Sequence, residues 1–215
     1  MPLYTTDALI LRTYRLGESD RIVVFLTRDR GKKRGVAKNA RQSRRRFGGA
    51  LEPMTYGRVA YFERERRELV SLNFVEPARS PLSALDGEAL GYVGYFAELI
   101  DEWAQEADPN ETLYRLGASM VDAMAVGVPI EPLARYFEYW LLRLQGVYQA
   151  DVRLSGASRD FLAAAREVSP FALGGVAVTD DTLRELEAAH RALIAMHLEK
   201  DLKSARVLRE MRRTS

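Results

Sequence analysis

Leu16-Gly17-Glu18-Ser19-Asp20-Arg21-Ile22-Val23-Val24-Phe25-Leu26-Thr27 decides how the first third of this 215-residue chain is read. The segment from Arg21 to Thr27 is β-branched and aromatic, which suits a strand, and Leu16–Asp20 is turn material. Working back, Ala8-Leu9-Ile10-Leu11 is a short apolar run that pairs naturally with it as a hairpin. Working forward, Asp29-Arg30-Gly31 marks a turn, Arg34-Gly35-Val36-Ala37 a third short strand, and Tyr56–Phe62 a fourth. Leu69–Phe74 follows after a charged tip at Glu63–Glu68. About five short strands with no helical period among them predict a small closed β-barrel, in which closure removes exposed sheet edges.

The pattern changes at Glu76-Pro77-Ala78-Arg79-Ser80-Pro81, where two prolines mark a boundary. The expected division is a barrel domain over 1–78 and an all-α helical domain over 79–215, an α+β multidomain arrangement. Leu90, Val93, Phe96, Ala97 and Ile100 recur at helical spacing. Asp108-Pro109 predicts the start of a second helix carrying Leu113, Leu116, Met120 and Met124. Pro132 opens a third with Leu133, Phe137, Trp140, Leu141 and Leu144 on one stripe, and Gly146 stops it. Residues 147–178 are less regular, with one short helix at Ser158–Val168. Thr179 or Asp180 caps a long helix to about Glu199 that carries Leu183, Leu186, His190, Ile194 and His197.

Composition excludes several functions. The chain has no cysteine, so disulfides and thiolate metal sites are ruled out and a reducing compartment is the simplest setting. Asp7 and Arg12 interrupt the first apolar stretch, so no leader is expected, and no run reaches the ~18 apolar residues that a membrane span needs. The expected location is the cytoplasm, without a membrane partner. There is no nucleophile-elbow serine and no Gly-x4-Gly-Lys phosphate loop, and Gly48-Gly49 and Gly174-Gly175 lack dinucleotide spacing. His190 and His197 are ~10 Å apart along a helix axis, without a third ligand at metal spacing, and read as core-edge or surface residues. Asp180-Asp181 reads as a helix cap rather than an acid/base pair. No enzyme, cofactor or metal is expected.

Charge distribution is more informative than the net +2: residues 1–80 hold 18 Lys and Arg against 9 Asp and Glu, 81–145 hold 3 against 11, and 146–215 hold 11 against 10. Within 32–46, Lys32, Lys33, Arg34, Lys38, Arg41, Arg44, Arg45 and Arg46 are eight cations with no acid between them. Such density self-repels unless a polyanion or solvent lies close. Phosphates satisfy it by releasing counterions, with arginine forking onto phosphate oxygens and lysine acting as a mobile charge. Arg12, Arg15, Arg21, Arg28 and Arg30 belong to strands and turns expected beside this run. Phe47, Tyr56, Tyr61 and Phe62 read first as barrel core, with base stacking as the functional alternative. No groove-reading helix is evident, so sequence-specific recognition is not expected. A solvated loop, a scaffold gripping an acidic protein, and an RNA-binding barrel are the competing readings.

Three stretches resemble the RecO family of bacterial recombination mediators: Gly17-Glu18-Ser19-Asp20-Arg21-Ile22-Val23, Arg34-Gly35-Val36-Ala37-Lys38, and Ser43-Arg44-Arg45-Arg46-Phe47-Gly48-Gly49-Ala50-Leu51-Glu52-Pro53. The likeness resumes at Arg135-Tyr136-Phe137-Glu138, Leu141-Leu142 and Gly146, and at His197–Ser204, which resembles the family's closing helix. It implies an N-terminal five-stranded OB-fold and a C-terminal helical domain. Many relatives carry a four-cysteine zinc loop where this chain has 147–178, and no zinc site is carried over. The resemblance implies binding of single- and double-stranded DNA and annealing of complementary strands. It further implies acting with RecR, and in many bacteria RecF, to load RecA onto DNA coated by single-stranded-DNA-binding protein. The DNA-binding residues expected are Arg12, Arg15, Arg21, Lys32, Lys33, Arg34, Lys38, Arg41, Arg44, Arg45 and Arg46. Arg135 is the candidate for the carboxylate of the binding protein's C-terminal tail, with an ion pair to Glu131 or Glu138 as the alternative.

Overall fold

The computed structural model describes residues 1–43, 45–64, 67–83, 87–148, 153–200 and 202–214. Arg44, part of the charged tip at 65–66, residues 149–152 of the irregular region and Asp201 of the closing motif lie outside the described residues. Two compact units are present: Met1–Ser83 with Phe96–Val121, and Ala84–Tyr95 with Asp122–Ser215.

In the first unit β1 (Leu3–Leu16), β2 (Asp20–Thr27), β3 (Lys32–Ala37), β4 (Tyr56–Phe62) and β5 (Val70–Arg79) close a barrel in the order β1-β2-β3-β5-β4. All ladders are antiparallel except the short β3–β5 pair, Gly35↔Val70 to Ala37↔Leu72. This five-stranded closure is the OB-fold arrangement expected from the sequence. Ala8, Ile10, Val23, Phe25, Val59 and Tyr61 fill its interior. Alternate residues face outward, as the two-residue period of a strand requires. A bulge between Ile10 and Arg12 shifts the β1–β2 register by one residue.

Several boundaries differ from the sequence reading. β1 runs far beyond 8–11, because exposed Thr5 and Asp7 occupy outward positions in the alternation and do not interrupt pairing with β4. β5 continues through Pro77 to Arg79, where a register shift at Tyr56/Gly57 accommodates a residue without an N–H. Gly57 is required there, since a Cβ would lie 2.1 Å from the Glu76 carbonyl oxygen. The β1–β2 turn contains Gly17 at φ +62°, a conformation that glycine adopts without strain.

The helices are α1 (Gly87–Trp103), α2 (Glu111–Ala125), α3 (Ile130–Leu144), α4 (Gly156–Glu167), α5 (Asp180–Leu198) and α6 (Lys203–Thr214). α2 starts later than Asp108-Pro109 because the Asn110 side chain accepts from the Leu113 N–H at 2.9 Å and supplies the cap. In the second unit α3 is buried continuously from Pro132 to Tyr139 and packs against α4 and α5, so its apolar face is broader than one stripe. Trp140 and Leu144, expected on that stripe, are half-buried and 40% exposed. Gly146 at φ +68° follows the end of α3, and the Thr179 hydroxyl caps α5.

His197–Ser204 is not one helix. Glu199 takes a left-handed φ of +52°, ends α5, and leaves Lys203 to start α6. In the region 153–178, α4 is pinned at its start by Glu185 of α5. That carboxylate accepts from the Ser155 N–H at 2.8 Å, from the Ser155 hydroxyl at 2.6 Å and from the Ser158 hydroxyl. The two serine hydroxyls and the Ser155 N–H hold the Glu185 carboxyl below its ordinary value. A 3-10 helix, Pro170–Gly175, completes the segment and packs on α3. No cluster of His, Cys, Asp or Glu among the described residues could hold a metal ion. No described helix is long and apolar enough to cross a membrane.

Candidate nucleic-acid interface

The β1–β2 hairpin end and the loop after β3 gather the basic residues at one end of the barrel. Arg15 of β1 stands directly opposite Arg21 of β2, and Arg21 is opposite Ala37, the residue before Lys38. Like charges directly across a ladder are destabilising, so this pair is retained at a cost unless an anion screens it. The loop is folded against the hairpin by specific bonds. Asn39 N–H donates to the Asp20 carboxylate at 2.8 Å, Arg41 N–H to the Ser19 carbonyl at 3.2 Å, and the Arg41 guanidinium to the Glu18 carbonyl at 2.9 Å. Further on, Val75 N–H donates to the Arg46 carbonyl at 3.0 Å. Asn39, Arg41 and Arg46 therefore anchor the described part of the loop after β3. A cleft here is lined by Arg21, Ala40, Arg41, Gly48, Gly49, Leu51 and Glu52.

The eleven sequence-predicted residues separate by their partners. Arg12 reaches Asp101 at 2.7 Å, Glu102 at 3.4 Å and Glu98 at 3.6 Å. Partial burial pushes the Arg12 guanidinium down, and Asp101, Tyr14 and Glu98 more than offset this, holding it above its ordinary value. Lys32 also binds Asp101, at 3.1 Å, and Lys33 binds Glu63 at 2.9 Å. Arg12, Lys32 and Lys33 are thus neutralised by carboxylates of their own unit. Arg46 donates to the Asn73 carbonyl at 2.8 Å and lies over the Phe47 ring, so it ties the loop to β5. Arg15, Arg21, Arg34, Lys38 and Arg45 have no side-chain ion pair or hydrogen bond among the described residues, and all but half-buried Arg21 are exposed. Arg44 lies outside the described residues. Of the flanking arginines, Arg28 pairs with Glu111 at 2.7 Å and Arg30 covers the Tyr4 ring.

Phe47 and Tyr61 are core, at 1% and 0% exposure. Burial, with Glu63 nearby, pushes the Tyr61 phenol up to about 12. Tyr56 and Phe62 are only half-buried.

In the second unit Arg135 is 3% exposed and its Nη2 meets Glu138 Oε1 at 3.0 Å, with Nη1 3.6 Å from Glu187. The Glu138 pairing is thus realised. Glu138 also accepts from the Tyr95 hydroxyl at 2.8 Å and from His190 Nδ1 at 3.0 Å. His190 is fully buried rather than at the core edge, because this carboxylate satisfies one ring nitrogen from within. Burial pushes the Glu138 carboxyl up, but Arg135, His190 and Tyr95 together hold it below its ordinary value. Burial and Glu138 drive the Tyr95 phenol well above its own. Beside this network lies a cavity with an apolar lining from Tyr92, Ile194, Leu202 and Leu208, and cations from Arg135, Arg191, Lys200 and Arg209. Arg135 Nε and Nη1 are buried without a hydrogen-bond partner. The i,i+3 spacing of Arg135 and Glu138 was visible in the sequence, but Tyr95, Glu187 and His190 converge only through the fold.

A closed OB-fold barrel with a basic end, followed by a helical region, defines the class of protein. Residues 1–81 match the family described as Recombination protein O N terminal, and residues 84–150 match Recombination protein O C terminal. The chain belongs to the RecO family. It is 43% identical over 145 residues to a Koribacter versatilis protein named DNA repair protein RecO, covering 67% of this chain and 59% of that one. A protein of the same name from Anaeromyxobacter sp. is 40% identical over 141 residues, covering 65% and 55%. One from Bifidobacterium adolescentis is 42% identical over 132 residues, covering 58% and 51%. The matched part of the chain thus spans little more than half the length of these relatives.

Proposed function

We propose that this chain is a DNA repair and recombination mediator that holds single- and double-stranded DNA by its phosphates and anneals complementary strands. The observation that carries this reading is the gathering of Arg15, Arg21, Lys38 and Arg41 at one end of the barrel without a side-chain carboxylate partner among the described residues. Phosphates of one strand neutralise this surface, and neutralising two strands together lowers the repulsion that opposes pairing. No step makes or breaks a covalent bond, so the protein acts without enzymatic chemistry, cofactor or metal. The setting is the cytoplasm, at the nucleoid.

The partners that fit are RecR, with RecF and RecA acting in the same process, and DNA coated by single-stranded-DNA-binding protein. The cavity beside Arg135 suits the C-terminal tail of that binding protein. Its apolar lining takes hydrophobic side chains, and Arg135, Arg191 and Arg209 take acidic groups and the terminal carboxylate. The relatives' shared name, DNA repair protein RecO, supports the repair role.

The test is annealing of complementary oligonucleotides without nucleotide or metal. Acceleration by the protein at low salt, fading as salt rises, is the expected result. Absence of acceleration, or equal binding to an acidic protein and preference for RNA, would contradict the reading.

A further inference from the structure

Tyr14 of β1 is a large aromatic side chain at 45% exposure. It pairs with Ile22 of β2, and Ile22 pairs with Val36 of β3, so the three form a row across the barrel. The next pairs, Thr13↔Val23 and Val23↔Gly35, belong to the interior, where Val23 is fully buried, so the Tyr14 row faces outward. Ile22 and Val36 are partly exposed, leaving an apolar shelf beside the ring. Two residues along β3, on the same face, stands exposed Arg34, whereas the Arg15–Arg21 pair alternates to the other face of the strands at the barrel end.

We infer that the outer face of β1–β3 is a base-stacking platform for single-stranded DNA and that Tyr14 is its ring. The inference rests on the reading of the barrel as DNA-binding. A half-exposed ring on an apolar shelf, with exposed and unpaired Arg34 on the same face, combines the two components of single-strand binding, a π-face for bases and charge for phosphates. A duplex keeps its base faces stacked inside, so only the cations serve it. Tyr14 therefore discriminates single strands from duplex, a role that Phe47 and Tyr61 cannot fill from the core.

The test compares wild type, Tyr14→Ala and Tyr14→Phe in fluorescence anisotropy with a labelled oligo-dT and with a duplex of equal length. Stacking of one base predicts about a 5- to 140-fold loss of single-strand affinity in Tyr14→Ala. Duplex affinity and the salt slope are expected to stay as in wild type, and Tyr14→Phe is expected to keep single-strand binding because it keeps the ring. Far-UV circular dichroism and a thermal melt establish that each variant is folded. Salt-dependent binding by wild type with Tyr14→Ala unchanged, or equal loss on both DNAs, overturns this inference alone. Wild type that binds neither DNA at low salt overturns the DNA-binding reading beneath it as well.

Discussion

Replacing Glu138 with alanine removes the acceptor on which three buried groups converge. The side chains of Arg135 and Glu138 are 4% and 2% exposed, so solvent screening does little to soften the loss. Arg135 is left with Glu187 at 3.6 Å, and the Tyr95 hydroxyl and His190 Nδ1 lose their partner. Breaking a buried ion pair costs about 3–5 kcal/mol, and each stranded donor adds about 1–3 kcal/mol where water cannot replace the acceptor. Water entering the vacated space offsets part of this, so a loss of about 4 kcal/mol is expected. With an m-value of about 2 kcal/mol per molar, the urea midpoint falls by about 2 M, read by circular dichroism. The double variant Arg135→Met, Glu138→Leu removes both charges and is expected to recover much of the loss, because an apolar replacement of a buried pair is often near neutral. A loss under about 1 kcal/mol in Glu138→Ala, or a double variant no more stable than the single, would refute the reasoning.

The same carboxylate sets a pH dependence. Its folded value lies below the ordinary 4.5, so its stabilisation is complete above that pH and is lost as pH falls through the folded value. Urea midpoints from pH 7 down to 3 should fall in that acid window, and less steeply in the double variant. Gly57→Ala places a Cβ against the Glu76 carbonyl, and thermal melting should show a loss of about 1–3 kcal/mol as the β4–β5 bulge shifts. Arg12→Met removes a cation already engaged by Asp101, Glu102 and Glu98. It is expected to leave the salt slope of DNA binding unchanged and to lower stability by about 1 kcal/mol, read by the same melt.

The barrel was legible because β-branched runs bounded by turn residues recur over the first 80 residues, and all five strands lie where those runs do. The length of β1 was hidden by Thr5 and Asp7, which are polar because they face outward. α6 was not anticipated beyond its first residues, since Val207, Leu208 and Met211 are sparse apolar positions among basic ones. The density of cations at 32–46 was plain in the sequence, but its division was not. The carboxylates that neutralise Arg12, Lys32 and Lys33 come from residues 63 and 98–102, which only the fold brings near. Tyr14 carried no signal that set it apart from strand core, because its exposure depends on which face of the barrel its register selects.

The most direct measurement is the salt dependence of oligo-dT binding by wild type and by the triple variant Arg15→Ala, Arg21→Ala, Lys38→Ala. Removing three phosphate contacts at about 0.7 each should flatten the log–log slope by about 2 and weaken binding at low salt. An unchanged slope in a folded triple variant would contradict the assignment of the barrel end to DNA.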